Sequence, residues 1–246
     1  MQVDARTVKK HFEKSMEDYD DNAVVQRLIA DNLVEELSKI KKYFPSVLEL
    51  GSGTGLLTRV FSSKCKFDSY TANDLTERAK FYLDKILPGY DFICGNAEKI
   101  KTNSSFDLII SNAMFQWFSD LENAVCKHFY SKLKAGGVLA FTTFSNDNFK
   151  EVRSITGLSL EYKSFDEISE IISKKYEIIY SKNFDYVMKF KTPLELLAHM
   201  KHTGVNSLGV KKWSIVQVKD FCEKYRNLYP EISLTYSPVI FIVQKK

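Results

Sequence analysis

The stretch VLELGSGTGLLTRVF, residues 47–61, decides the fold. A short apolar run ending at Leu50 meets Gly51, Gly53 and Gly55, and then a helix-like sequence. Glycine costs backbone entropy and contributes no side chain, so three of them directly after a buried strand need a reason. In an open α/β sheet, ligands bind beyond the carboxyl ends of the strands. A strand-to-helix turn there presents backbone N–H groups and a helix N-terminus, which suits an anion. Side chains in that turn would hold the ligand off, and glycine lets it approach.

Outward from this turn, strands and helices alternate. The patterns predict strands at 46–50, 67–74, 90–96, 106–112 and 137–144, with helices at 54–63, 76–87 and 120–133 between them. This alternation argues for a parallel sheet covered on both faces. Upstream, residues 5–40 are charged and helical in pattern, and Pro45 ends that region. Downstream come a helix at 165–175, one long strand at 176–190, helices at 192–204 and 214–230, and a terminal strand at 234–246. The helix from 192 carries a threonine cap, a proline at its first position and a glycine at its end. The expected fold is therefore α/β, a seven-stranded mostly parallel sheet with helices on both faces and a helical cap. The chain reads as one domain over 1–246. It has a helical lid at 1–44, a core at 45–191 and 231–246, and a cap insertion at 192–230.

Composition sets outer bounds. The 246 residues are 44% hydrophobic and 27% charged, enough for a sizeable core without metals or disulfides. The net charge of +4 is too mild to argue for a nucleic-acid partner. No apolar run approaches the roughly 18 residues that span a bilayer, and the start MQVDARTVKKHFEK is not a secretory signal. Cys65, Cys94, Cys126 and Cys222 form no CxxC pair and no metal-ligand spacing with His11, His128, His199 and His202. These features point to a reducing cytoplasm, no membrane and no metal.

The glycine spacing is informative in detail. The dinucleotide fingerprint is G-x-G-x-x-G, but here the third glycine arrives one residue early and Glu49 stands two residues before the first. This E-x-G-x-G-x-G pattern resembles motif I of methyltransferases with a Rossmann-like sheet. The resemblance implies that the loop, with Ser52, receives the methionyl part of S-adenosyl-L-methionine. Asp74, at the end of the second strand, is placed to accept from ribose hydroxyls, and its competing role is capping the next helix, where Thr76 also competes. Leu75 adjoins it. In GNAE (95–98), methyltransferases often carry an aspartate for the adenine amino group. This chain has Asn96, beside Ala97, which offers a carbonyl oxygen but adds donors. SNAMFQWF (111–118) follows the fourth strand, so Asn112 and Ala113 are expected at the cofactor and Gln116 and Trp117 at the methyl-transfer site, with core packing the other reading of Trp117.

Further segments resemble the malonyl-[acyl-carrier protein] O-methyltransferase family of biotin synthesis. Near the start, Phe12, Tyr19, Asp20, Ala23 and Gln26 match the family's signature, while Met16 stands at a usually small position. SNAMFQWFSDL, GGVLAFTTF, LLAHMKHTGVN and LTYSPVIFIVQKK resemble later family segments, so the likeness runs through the cap. It implies methyl transfer from S-adenosylmethionine to the free carboxylate of malonyl-acyl carrier protein, an acidic partner. It places Tyr19 and Gln26 near the cofactor, opposite a reading as lid packing. It places Lys201, His202, Thr203 and Asn206 facing the substrate from the cap, with Arg153, Lys211 and Lys212 as basic candidates for docking. A malonyl carboxylate has a pKa of about 3 to 4, so at neutral pH it is already an anion and no general base is expected.

Three alternatives remain at this level. The chain could methylate another small carboxylic acid, of aconitate type, without a carrier. It could bind S-adenosylmethionine without catalysis, as a regulatory partner. A nicotinamide dehydrogenase is disfavoured by the glycine spacing.

Overall fold

The computed structural model describes residues 4–203 and 213–246. Its first two helices are α1 (Ala5–Asn22) and α2 (Val24–Ile40), and then the alternation begins: β1 (Ser46–Leu50), α3 (Leu56–Lys64), β2 (Ser69–Asp74), α4 (Arg78–Leu83), β3 (Asp91–Cys94) and β4 (Phe106–Ser111). The next helical segment is α5 (Leu121–Asn123), a π-helical stretch at Ala124–Phe129 and α6 (Tyr130–Lys132). It leads into β5 (Leu133–Phe144), α7 (Lys150–Thr156), α8 (Phe165–Ser173), β6 (Tyr176–Asn183) and β7 (Tyr186–Lys189). The chain then forms α9 (Pro193–His202), α10 (Ile215–Leu228), β8 (Ser233–Tyr236) and β9 (Pro238–Lys245).

The main sheet has seven strands in the order β3-β2-β1-β4-β5-β9-β6. β1 to β5 pair in parallel, and β9 runs antiparallel to both β5 and β6. Alternate side chains point to opposite faces, and the sheet uses both. Leu48, Leu50, Ile109, Leu139, Phe141 and Phe241 pack with Phe129, Ile168 and Ile172. Val47, Ala72, Leu108, Ile110, Ala140 and Ile242 pack with Leu33, Leu37, Leu57 and Phe61 on the other face. Burial on both faces is why these strands read as nearly continuous apolar runs.

Two strand assignments differ from the sequence reading. The long strand expected at 176–190 breaks between Asn183 and Tyr186, and the terminal strand breaks at Ser237. β6 and β9 stay in the main sheet, whereas β7 and β8 pair antiparallel as a separate two-stranded ribbon. The break is pinned by Ser237, whose hydroxyl donates to Asp185 (2.8 Å) and whose N–H donates to Asn148 Oδ1 (3.2 Å).

The expected lid at 1–44 divides in two. α2 is a layer of the sheet's core, with Ile29, Ala30, Leu33, Val34 and Leu37 fully buried. α1 buries only Ser15 and Met16 and lies across the carboxyl edge. Polar ties hold it there: Glu17 to Arg78 (3.1 Å), Glu13 to the Thr76 hydroxyl, Asp20 to Arg59 and to the Thr54 hydroxyl, and Asp18 to His202 of α9 (3.6 Å). A third cluster joins α9 and α10 to the ribbon and to α2 through Val25, Ile29, Phe144, Phe149, Leu196, Phe221 and Tyr236. Among the described residues no helix is long and apolar enough to cross a membrane.

Candidate active site

The carboxyl ends of β1, β2, β3 and β4 open into a cavity of about 630 Å³, within the range of small-molecule sites. Of the positions expected at the site, Gly51, Asp74, Leu75, Asn96, Ala97, Asn112, Ala113, Gln116, Trp117 and Tyr19 line it. A smaller chamber of about 60 Å³ adjoins it, lined by Gln26 and Thr203 together with Tyr19, Ala113, Gln116 and Trp117. The remaining expected positions that the structure describes line neither space.

Glu49 does not face the cavity. Strand alternation turns it, with Val47, toward the α3 side, where it is fully buried. There its Oε2 accepts from the Thr58 hydroxyl (2.6 Å) and the Tyr70 hydroxyl (2.5 Å). Oε1 has no partner, and burial pushes the carboxyl up to about 7. The glycine loop is used in a graded way. Gly51 reaches the cavity at φ +70, and a Cβ there would stand 2.6 Å from Met114 Sδ. Gly53, at φ +54, lies under Phe12 of α1, whose ring would stand 2.9 Å from a Cβ. Gly55 is the left-handed N-cap of α3 and packs against Ile86. Ser52 is buried in the turn with its hydroxyl unpartnered.

Asp74 ties the loop together. Its Oδ2 accepts from Gly53 N–H (2.8 Å) and its Oδ1 from Thr76 N–H (3.0 Å). Burial raises its pKa, against the lowering effect of these backbone bonds. A carboxylate has about four lone-pair sites, so two bonds leave capacity toward the cavity. Of the two roles weighed for Asp74, the cap of α4 falls to Glu77, while the side chain clips the glycine loop and keeps capacity for the ribose role. Thr76 is not the N-cap of α4, a position held by Glu77, although its hydroxyl accepts from Arg78 N–H (3.3 Å). Asn96 is the cap of the turn at Ala97–Lys99, its Oδ1 accepting from Glu98 N–H (2.8 Å). One of the two lone pairs of the carbonyl expected to meet an adenine amino group is therefore engaged.

The turn after β4 is strained. Ala113 has φ +52, a left-handed conformation uncommon for a residue with a Cβ. Thr142 Oγ1 holds it, accepting from Ala113 N–H (2.8 Å) and donating to Asn112 Oδ1 (2.7 Å). Asn112 Nδ2 in turn donates to the Gln26 carbonyl (3.0 Å), which fixes α2 against this turn. Gln116 is locked as a wall, donating to Ala113 O (2.7 Å) and accepting from Thr143 (3.1 Å).

Among the described residues of the cap, only Thr203 arrives. Lys201 is exposed and does not line either space, and His202 pairs with Asp18. Arg153 donates to the Asn146 carbonyl. Asn206, Lys211 and Lys212 lie outside the described residues. Local reading missed Tyr162, Asn148, Phe144, Met114 and Lys163, which line these spaces from segments far apart in the chain. Phe12 was legible in its segment but had no role assigned.

The methyltransferase domain family matches residues 48–141. Over nearly its whole length the chain is similar to malonyl-[acyl-carrier protein] O-methyltransferases. That of Calditerrivibrio nitroreducens is 38% identical over 97% of this chain and 96% of the relative. That of Haemophilus influenzae is 34% identical over 98% and 95%. That of Bacteroides thetaiotaomicron is 31% identical over 97% of each. Among solved structures, the YcgJ protein of Bacillus subtilis superposes with a TM-score of 0.63 at 17% identity, covering 87% of this chain and 98% of that one. N-methyltransferase NodS of Bradyrhizobium japonicum, in complex with S-adenosyl-l-homocysteine, gives 0.54 at 12% identity, covering 87% and 85%. These two share the fold.

Proposed function

Because the chain belongs to the malonyl-[acyl-carrier protein] O-methyltransferase family, we propose that it methylates the free carboxylate of malonyl-acyl carrier protein. The product is the malonyl methyl ester, which feeds pimeloyl and biotin synthesis. The observation that carries this reading is the similarity through the cap, coupled to a cavity that continues into a small chamber under it.

The residues at the carboxyl edge fit the methyl donor. Gly51 leaves the turn without a Cβ, Asp74 holds unused acceptor capacity, and Leu75 and Ala97 give the cavity apolar walls. S-adenosylmethionine supplies a methyl group on a sulfonium: a carboxylate oxygen forms the O–CH3 bond, the S–CH3 bond breaks, and the sulfur keeps the electron pair. No proton moves, so the side chains have two tasks. One is orientation, which converts an encounter into an in-line approach. The other is exclusion of water, which falls to Phe12, Trp117, Phe144 and Met114. A tight ion pair to the carboxylate would stabilise the ground state and blunt the nucleophile.

The test is transfer of a labelled methyl group to malonyl-carrier protein, malonyl-coenzyme A and free malonate. Transfer to malonyl-carrier protein, as a base-labile ester, is the expected result. Absence of transfer to either malonyl thioester, with transfer to a free acid such as aconitate, would replace this reading with the carrier-independent one.

A further inference from the structure

The small chamber has an unusual lining. Among the described residues, no charged side chain faces it. Its polar groups are hydroxyls, amides and an indole, and several are set up to donate. Tyr162 OH accepts from Asn148 Nδ2 (3.0 Å), which leaves the phenol's own proton available. Asn148 is 1% exposed, and its Oδ1 is fixed by Ser237 N–H, so the donor–acceptor order of that chain is set from the backbone. Burial raises the pKa of both Tyr162 and Tyr19, keeping both phenols protonated. Trp117 adds an indole N–H, a donor only.

Gln26 supplies the second, independent observation. It is 3% exposed, it lines the chamber, and its Oε1 has no hydrogen-bond partner among the described residues. A buried polar atom without a partner is costly and needs a reason. Its position is not accidental, because Asn112 holds the Gln26 backbone carbonyl against the strained turn. The terminal amide can present either its oxygen or its NH2 at that point after a half-turn. Volume also suffices. About 60 Å³ is several times the roughly 10–15 Å³ that one water needs on the same measure, so a small group such as a carboxylate can enter.

We propose that this chamber is the subsite for the terminal carboxylate of the substrate, held by the neutral donors of Tyr162, Tyr19, Trp117 and the Gln26 amide. The inference rests on the malonyl-methylating reading and deepens it by naming what grips the reacting group. Neutral donors hold the anion in register without a localised positive charge, so its charge can disappear on methylation without stranding a buried cation. The surroundings keep it so: His199, packed behind Tyr236 with Nε2 2.7 Å from the Tyr236 hydroxyl, has its pKa lowered by burial to about 4.

The experiment compares binding of malonyl- and acetyl-carrier protein in the presence of S-adenosylhomocysteine. The acetyl form lacks only the carboxylate. Wild type should prefer the malonyl form by about ten- to hundredfold, the range for hydrogen bonds to a charged group. Gln26→Leu and Tyr162→Phe should each bring that ratio toward one while acetyl-carrier affinity stays constant. A general packing defect would weaken both ligands together and leave the ratio intact, and that outcome overturns the proposal. So does a wild type that methylates malonyl-carrier protein yet binds both forms equally. If Gln26→Leu fails to fold, Tyr162→Phe, which removes one oxygen, decides alone. Wild-type turnover on malonyl-carrier protein separates the two levels: if it is present and the ratios do not move, the chamber assignment fails and the function stands.

Discussion

Replacing Glu49 by glutamine isolates one buried titration. The wild-type carboxyl is fully buried, with Oε2 bonded to Thr58 and Tyr70 and Oε1 unpartnered. Burial raises it from 4.5 to about 7. The native state therefore holds this proton more tightly than the unfolded chain. The associated stability is fully present below the unfolded pKa and is lost as pH rises through the folded one. At about 1.4 kcal/mol per pKa unit, the loss between pH 4.5 and pH 8 comes to about 3 kcal/mol. Glutamine cannot ionise, yet its oxygen can still accept from Thr58 and Tyr70. The stability of Glu49→Gln relative to wild type should therefore climb by about 2.5 kcal/mol from pH 5 to pH 8. Urea unfolding of both proteins at each pH measures this, and the other carboxylates cancel in the difference. A relative stability constant to about 0.5 kcal/mol, the usual limit of additivity, would refute the burial argument. Calorimetry on the same variant checks placement: S-adenosylhomocysteine affinity should hold, because Glu49 does not line the cavity.

Gly53→Val places a branched side chain at φ +54 beneath the Phe12 ring, so beyond the roughly 1–2 kcal/mol of left-handed strain it must displace α1. Thermal unfolding should show the loss, and calorimetry a weakened S-adenosylhomocysteine site. Asp74→Asn keeps one acceptor for two backbone N–H groups, so stability should fall by about 1–3 kcal/mol and cofactor affinity by about tenfold. Loss of stability alone would assign Asp74 to the loop clip only. Lys201→Ala removes an exposed cation that lines neither space, so KM for malonyl-carrier protein should stay within about twofold, as for most exposed charges. A tenfold rise would return a cation to the carboxylate site.

Much of the fold was legible because its signals are local. Alternating apolar segments and turn residues mark β1 to β5, and the glycine turn marks the carboxyl edge. The breaks in the two late strands were not legible as a pair, since 176–190 has β-rich character throughout. Ser237–Pro238 was the available turn signal, because a residue before proline is conformationally restricted. What commits the chain to two sheets is the tie from Ser237 to Asp185 and Asn148, groups about fifty and ninety residues away in sequence. Glu49 could have been turned away from the ligand on sequence grounds, since period-two alternation places it with Val47. The carboxylate chamber was legible only in part, since the family resemblance named Tyr19, Gln26, Trp117 and Thr203 but not Asn148 or Tyr162. It gathers Tyr19 and Gln26, Trp117, Asn148, Tyr162 and Thr203 from five regions, and no periodicity connects them.

The β7–β8 ribbon has a topological consequence. Lys189 faces Ser233 across the ladder, and Phe190 N–H donates to Ile232 O (2.8 Å). The segment 190–232, which contains the cap, is in this sense the loop of a β-hairpin. Its entry and exit are cross-strand neighbours, so the ends of the loop are joined by the ribbon whatever lies between them. Loop-closure entropy grows only slowly with length. Helices can thus be added to or trimmed from this segment without pulling on the seven-stranded sheet. The four pairs of the ribbon, Lys189–Ser233 to Tyr186–Tyr236, separate the cap's entry from the Ser237–Asp185–Asn148 tie at the ribbon's other end, which also orients Tyr162. The part of the molecule freest to vary in length is thus held a ribbon's length away from the residues that aim Tyr162.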